Sequence, residues 1–294
     1  MSFLYSFIIP HKNNPELLQR CVDSIPNRSN IQIIVVDDNS DVDKKPLLIH
    51  KNVEIILLDE NHSKGAGRAR NIGLARATGK WILFADADDF YDSNFMDVLD
   101  SYSNDESEVV YFNAKSVISE TLRPAKLTGF MNKYFDDCVG DAQSINKIKY
   151  GPHFPWNKMV KLSFLKKYNI MFEEVLKGND TLFSYCVGYF SSKVKIEKRQ
   201  IYVYTWNKNS LTTQRFSRST WLVVWKNYYK QQKFLKYVNC DNLTLSFIRF
   251  LSRLKKKEGF RNVFLGLWLF FTNFHSIVSQ SSEYVSIVKS YDVD

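Results

Sequence analysis

Ile33-Ile34-Val35-Val36-Asp37-Asp38-Asn39-Ser40 is a run of four β-branched residues that ends on two aspartates. Branched side chains sit well on a pleated surface and lose rotamer freedom in a helix, so the run predicts a strand over residues 31–36. It has no polar face, which means cover on both sides, as in a parallel sheet. Trp81-Ile82-Leu83-Phe84-Ala85-Asp86-Ala87-Asp88-Asp89 repeats the arrangement, an apolar run followed by a cluster of acids.

Outward from these two stretches, strands and helices alternate. A short strand over 5–10 precedes a helix over 15–25, whose spacing shows in Leu17, Leu18, Cys21, Val22 and Ile25. Further strands are predicted over 53–58, 81–85 and 109–117, and helices over 65–77 and 93–101, the latter with Ser93 as its N-cap. That order predicts an α/β protein with a mostly parallel sheet flanked by helices. Residues 119–150 have weak periodicity and read as loops. From Trp156 the pattern resumes, with a strand near 158–160, helices at 163–168 and 180–189, and strands near 194–196 and 201–205. After Ser219 the chain reads as helix, without turn punctuation until Gly259.

The 294 residues are 45% apolar and 24% charged, which excludes a disordered chain. Cys21, Cys138, Cys186 and Cys240 stand far apart, with no metal-ligand spacing, and read as reduced thiols in a cytoplasmic protein. The apolar N-terminus lacks a basic start and stops at Pro10-His11-Lys12, so it reads as a strand rather than a signal peptide.

In open α/β sheets ligands bind beyond the carboxyl ends of the strands. Asp37-Asp38 and Asp86-Ala87-Asp88-Asp89 would therefore meet at one crevice, where crowded carboxylates repel unless a cation neutralises them. Oxygen ligands suit Mg²⁺ or Mn²⁺, typically held by one or two carboxylates plus substrate phosphates. The expected ligand is a diphosphate bridged to the protein by a divalent metal. An isolated Asp-Asp is more often turn chemistry; two clusters at two strand ends are not.

Phe7-Ile8-Ile9-Pro10-His11-Lys12-Asn13, the stretch 33–40, Gly67-Arg68-Ala69-Arg70-Asn71-Ile72-Gly73 and Phe84-Ala85-Asp86-Ala87-Asp88-Asp89 stand in an order and spacing that resembles the family 2 glycosyltransferases. The likeness continues more weakly through Trp156-Asn157-Lys158, Gly178-Asn179-Asp180 and residues 202–212. It implies a GT-A (Rossmann-like) fold, a mixed, mostly parallel sheet flanked by helices with a helical C-terminal extension. It also implies an inverting transfer from a nucleotide-diphosphate sugar, a UDP-sugar, to a hydroxyl of a growing cell-surface glycan such as capsule or O-antigen. On this resemblance Asp38 hydrogen-bonds the nucleotide base in a pocket lined by Pro10. Asp86 lies near the ribose and pyrophosphate as the first acid of the DxD pair, and Asp88 or Asp89 meets the metal. Arg70 and Asn71 face the donor, although helix capping competes for Asn71. Lys12 stands where many relatives carry a tyrosine that packs on the base; it can approach a phosphate instead. Asp180 is the general base, with Asn179 in place of the family's preceding glutamate. A helix N-cap role competes for Asp180. Trp156 and Trp206 are candidates for stacking on acceptor sugars, with core packing as the rival reading.

Charge divides the chain. Residues 1–120 hold 19 acids and 12 bases, whereas residues 193–261 hold 17 bases and 3 acids. We therefore expect a glycosyltransferase domain over 1–215 and a helical, basic, aromatic extension over 216–294. Two readings of the extension stand side by side. It lies on an anionic membrane surface, placing the protein peripherally on the inner face of the membrane with a lipid-linked glycan acceptor, or its helices pack on the domain or form a homodimer. A nucleic-acid partner is not expected, because the acids would repel a phosphate backbone and no nucleic-acid motif is present. A metal-dependent nucleotidyltransferase is the rival enzyme, but it would carry a Gly-rich phosphate loop where Pro10-His11-Lys12-Asn13-Asn14 stands.

Overall fold

The computed structural model describes residues 3–46, 52–175, 177–207 and 215–291. Of the resembling segment 202–212, residues 208–212 lie outside the described residues. The chain divides into two compact units, Met1–Asn207 and Lys208–Asp294.

The first unit is built on β1 (Tyr5–His11), β2 (Ile31–Asp37), β3 (Val53–Leu57), β4 (Trp81–Phe84), β5 (Phe90–Tyr91), β6 (Val109–Ile118), β7 (Lys158–Lys161) and β8 (Val194–Trp206). They form one sheet in the order β3-β2-β1-β4-β7-β6-β8-β5. β1 runs parallel to β2 and β4, β2 to β3, and β6 to β8. β7 is antiparallel to β4 and β6, and β5 to β8. The sheet is thus mixed and mostly parallel, as expected.

Its helices are α1 (Pro15–Asp23), α2 (Ala66–Arg76), α3 (Phe95–Ser101), α4 (Leu127–Asp136), α5 (Ala142–Tyr150), α6 (Leu162–Lys167) and α7 (Asn179–Phe190). Every residue of β1 is buried. Tyr5, Phe7 and Ile9 join the core that Leu18, Cys21 and Val22 of α1 complete. Ile8 points the other way: a Cβ on Gly73 of α2 would lie 2.4 Å from its Cγ2, so this glycine lets α2 close on the sheet. Register sets the functional edge. His11 lies opposite Asp37, so β1 and β2 end together, while β4 ends earlier, at Phe84 opposite Ile8, with its acids just beyond.

The structure corrects the sequence reading in three places. Residues 119–150 contain α4 and α5 rather than only loops. α4 buries just Met131 and Phe135 and carries Gly129 inside it, too short a stripe to register as a period. α5 is capped by Asp141, whose side chain accepts the Ser144 N–H at 2.7 Å. The two strands expected near 194–196 and 201–205 are one strand, β8; its exposed Lys198 and Arg199 interrupt the apolar pattern, and the register with β6 shifts around Asn113. The helical tail also breaks well before Gly259.

That second unit consists of α8 (Arg218–Tyr237), α9 (Phe247–Glu258), α10 (Phe260–Thr272), α11 (Phe274–Ser279) and α12 (Glu283–Lys289). Its core is Trp221, Trp225, Leu254, Leu269, Phe270 and Ile277. The Trp225 indole donates to the Gly266 carbonyl at 2.9 Å, and a Cβ on Gly266 would meet the Trp221 ring at 2.5 Å. Among the described residues no single helix is long and apolar enough to cross a membrane. All four cysteines are buried.

Candidate active site

The two aspartates that end β2 do different work. Asp37 is fully buried and accepts the Ser40 N–H at 3.1 Å, the Ser40 hydroxyl, and the His11 Nδ1–H at 3.0 Å. His11 Nε2 accepts in turn from the Asn14 N–H at 3.1 Å. This network fastens the turn in which Asn39 takes a left-handed φ of 59°. Asp38 faces the other way. Its two oxygens accept the main-chain N–H groups of Lys64 at 3.1 Å and Gly65 at 3.0 Å, at the head of α2. An anion belongs there, where the helix dipole is positive and the first N–H groups lack partners. The Lys12 ammonium lies 3.9 Å from Asp38 and is half exposed. Pro10 is buried on β1 beside Val36.

From the same helix, Arg70 reaches both the second acid cluster and the head of α7. It donates to Asp86 through Nη2 at 2.6 Å and to the Asn179 side-chain oxygen through Nη1 at 2.9 Å. Its guanidinium lies 5.3 Å from the Phe172 ring centroid. One buried cation therefore joins the end of β4, α2 and the residue before Asp180. Asn71, expected at the donor, instead pairs with the backbone of Phe172, donating at 3.0 Å and accepting at 2.9 Å.

Asp88 and Asp89 also separate. Asp89 is fully buried; its carboxylate accepts the Tyr202 hydroxyl at 2.9 Å and the Thr205 N–H at 2.6 Å. Burial, then the Asp88 and Asp86 carboxylates, push its pKa well up. With both oxygens bonded inside the core, Asp89 is placed as a structural acid rather than a metal ligand. Asp88 is half-buried and makes no ion pair among the described residues. Burial first, and the Asp86 carboxylate second, raise its pKa to about 6. Its main chain is held firmly: the carbonyl accepts from Arg20 Nη2 and from the Thr205 hydroxyl, each at 2.6 Å. The Tyr202 hydroxyl also accepts the Asp86 N–H at 2.9 Å. Two β8 residues thus clamp the acid loop.

Asp180 stands in the first turn of α7, whose N-cap is Gly178 with φ 73°, so Asp180 is not the cap. Burial raises its pKa against the opposing pull of Arg70. Close by in charge, Lys158 is buried and its pKa falls to about 7, through burial opposed by Asp180. The Lys158 ammonium donates to the Phe154 carbonyl and, at 3.4 Å, to Ser184. Trp156, expected at the acceptor, is 2% exposed, with Phe154 stacked on it at 4.5 Å and Tyr202 at 4.7 Å. Both ring faces are taken by protein. Trp206, at the end of β8, is 37% exposed. Arg20, Lys158, Tyr202 and Thr205 were not singled out from the sequence. Only the weak likeness around 156–158 and 202–212 touched three of them, and nothing marked Arg20.

The donor set fits a substrate-assisted metal site. Among the described residues no three His, Cys, Asp or Glu side chains form a metal cage. Asp88, with Asp86 beside it, offers the one or two carboxylates that Mg²⁺ or Mn²⁺ takes when phosphates supply the rest. Burial first and the Asp86 carboxylate second disfavour the Asp88 charge, a cost that a cation would offset. Two cavities, one beneath Trp156 and one beside Lys193 and Lys195, are lined by none of these acids.

Residues 6–173 match the sequence profile of glycosyl transferase family 2. EpsH of Bacillus subtilis (strain 168) is 24% identical over 234 residues, 72% of this chain and 63% of the relative. The Escherichia coli UDP-Glc:alpha-D-GlcNAc-diphosphoundecaprenol beta-1,3-glucosyltransferase WfgD is 29% identical over 188 residues, 57% of this chain and 72% of the relative. The chain thus spans less than two thirds of the length of EpsH. The crystal structure of S. aureus TarS 1-349 in complex with UDP-GlcNAc superposes with a TM-score of 0.58 at 17% identity, covering 99% of this chain and 92% of the other. That likeness shows a shared GT-A fold.

Proposed function

The chain belongs to glycosyl transferase family 2, and from that premise we propose that it moves a sugar from a UDP-sugar to a hydroxyl of a growing cell-surface glycan, with inversion at the anomeric carbon. The observation that carries this reading is the Arg70 bridge. A single guanidinium holds Asp86 on one side and Asn179, neighbour of Asp180, on the other. The donor acids and the candidate base are thereby gathered around one charge.

In this reading Asp38 and Pro10 receive the nucleotide base, and Lys12 beside Asp38 approaches a phosphate. The Asp38 oxygens already accept one N–H each and keep a free lone pair for a base N–H. Arg70 orients Asp86 toward the ribose and pyrophosphate. Asp88, whose peptide is fixed by Arg20 and Thr205, would hold Mg²⁺ or Mn²⁺ together with the diphosphate. When bound, that cation supplies electrostatic stabilisation of the departing nucleotide diphosphate. Asp180 accepts the proton of the acceptor hydroxyl as it attacks the anomeric carbon; the burial that raises its pKa makes it a stronger base than an exposed carboxylate. Trp206, exposed at the strand end, is the candidate for acceptor stacking.

A lipid-linked acceptor belongs to the same proposal, in line with the diphosphoundecaprenol-linked substrate in the name of WfgD. It would be met peripherally at the inner face of the membrane.

The test pairs a donor screen with one substitution. UDP-sugars should raise the melting temperature more in the presence of Mn²⁺ than in EDTA. Asp180→Asn should keep that shift and lose sugar transfer by at least a hundredfold. Equal transfer by Asp180→Asn would remove it as the base, and no stabilisation by any nucleotide sugar would overturn the donor reading.

A further inference from the structure

The C-terminal unit carries the charge of the chain. Residues 208–294 hold 14 Lys and Arg against 5 Asp and Glu, the whole formal net charge of +9, whereas residues 1–207 hold 26 of each sign. One helix of this unit also leaves four of its aromatic side chains outside. α10 turns Leu269 and Phe270 into the core, while Phe260, Phe264, Trp268 and Phe271 are 62%, 58%, 53% and 69% exposed. At about 100° of rotation per residue, these four fall within roughly 80° of one another, a single stripe of rings.

Cations are seated in that stripe. The Lys255 ammonium lies 5.0 Å from the Phe260 ring centroid, and the Arg218 guanidinium 5.3 Å from that of Trp268. Arg253, Lys256 and Lys257 of α9 are exposed. The single acid within α9 and α10, Glu258, is buried and accepts the Phe216 N–H at 2.9 Å. The ring stripe is therefore bordered by positive charge and carries no exposed negative charge of its own helices.

We propose that this face of α10 docks on an anionic phospholipid bilayer, with the rings in the acyl boundary and the bases of α9 on the headgroups. Aromatic side chains favour that boundary, and lysine and arginine stems reach from it to phosphate. α10 alone is too short to cross: its 13 residues rise about 20 Å, and the hydrocarbon core is about 30 Å thick. The following helices turn away by 76° rather than extend the rod. Charge also decides against a second copy of the chain. A two-fold interface through this stripe would bring together two units that each carry a formal net charge of +9. The proposal rests on the second unit alone, so its failure would leave the glycosyl-transfer reading standing.

The test uses the full chain without sugar substrates. It should sediment with vesicles of phosphatidylcholine containing one third phosphatidylglycerol, not with phosphatidylcholine alone, and added salt should release it. Trp268→Glu, and separately Phe264→Ser with Phe271→Ser, should cut the bound fraction at least tenfold with melting temperatures unchanged, since these side chains are exposed. Lys255→Glu with Lys256→Glu should abolish the preference for the anionic vesicles. Equal sedimentation of these variants and the parent, or none of the parent, overturns the proposal. So does a doubled mass by sedimentation velocity that Trp268→Glu abolishes, which would assign the stripe to a second copy.

Discussion

Arg20 donates from Nη2 to the main-chain carbonyl of Asp88 at 2.6 Å, across 68 residues of sequence. The Thr205 hydroxyl donates to the same oxygen at 2.6 Å. Two donors on one carbonyl fix the peptide that carries the half-buried acid, so α1 and β8 set where the Asp88 carboxylate points. Arg20→Gln should therefore raise the divalent-metal concentration needed for half-maximal activity about tenfold, the usual scale for a group that orients a ligand. Turnover at saturating metal should change little, and Arg20→Lys should recover part of the loss. A metal titration of the three proteins checks this; a fall in turnover with an unchanged metal midpoint would deny the positioning role.

Adjacent acids should answer differently to the same change. Asp88→Asn should abolish metal-dependent transfer while leaving the melting temperature level or higher, because it removes a carboxylate whose charge is disfavoured by burial. Asp89→Asn disturbs a buried acceptor of two hydrogen bonds and should cost about 1–3 kcal/mol of stability. Denaturant unfolding beside activity assays separates the two. Equal loss of stability in both would show that Asp88 is structural as well.

Lys158 gives the protein a pH signature. Unfolded, a lysine keeps its proton up to about its ordinary pKa of 10.5; folded Lys158 releases it near 7 because burial disfavours the ammonium. Between those values the unfolded chain holds the extra proton, so this residue makes stability rise with pH above about 7 until the rise levels off near 10.5. Lys158→Met keeps most of the stem and removes the proton, and should flatten that slope. Melting temperatures of parent and variant across the window test it; parallel curves would refute the assignment.

Two glycine-to-alanine changes should move stability in opposite directions. At Gly67 a Cβ would lie 2.1 Å from the Glu173 carbonyl oxygen and 3.0 Å from the Asn179 Cβ. Gly67→Ala must push α2 from α7, at about 1–3 kcal/mol, and should weaken donor binding as the Arg70 bridge opens. At Gly129 nothing lies within 4 Å, so Gly129→Ala should stabilise α4 by about 0.5–1 kcal/mol. Unfolding midpoints decide both.

What the sequence made legible was local. A run of β-branched residues stopping at acids is contained within eight positions, so the strand ends and, β5 apart, the order of strands and helices in the first 118 residues could be read with small errors of boundary. Long-range pairing was not legible. Tyr202 reaches Asp89 across 113 residues because β8 pairs with the two-residue β5, a partner too short to show a period. For the same reason Asp88 and Asp89 looked equivalent; only the sheet reveals that one faces the core. Asn71 offers both a donor-facing and a helix-capping reading from sequence, because its bonds to Phe172 depend on a loop 101 residues away.

The rings of Phe154, Trp156 and Tyr202 lie in near-parallel contact, and the last of them ends in the hydroxyl that holds Asp86 and Asp89. The aim of the acid loop is thus inherited from hydrocarbon packing rather than from polar contacts alone. Trp156 and Tyr202 belong to the same buried core as the sheet, so a cavity cut into that stack would reach the acids without touching a polar group.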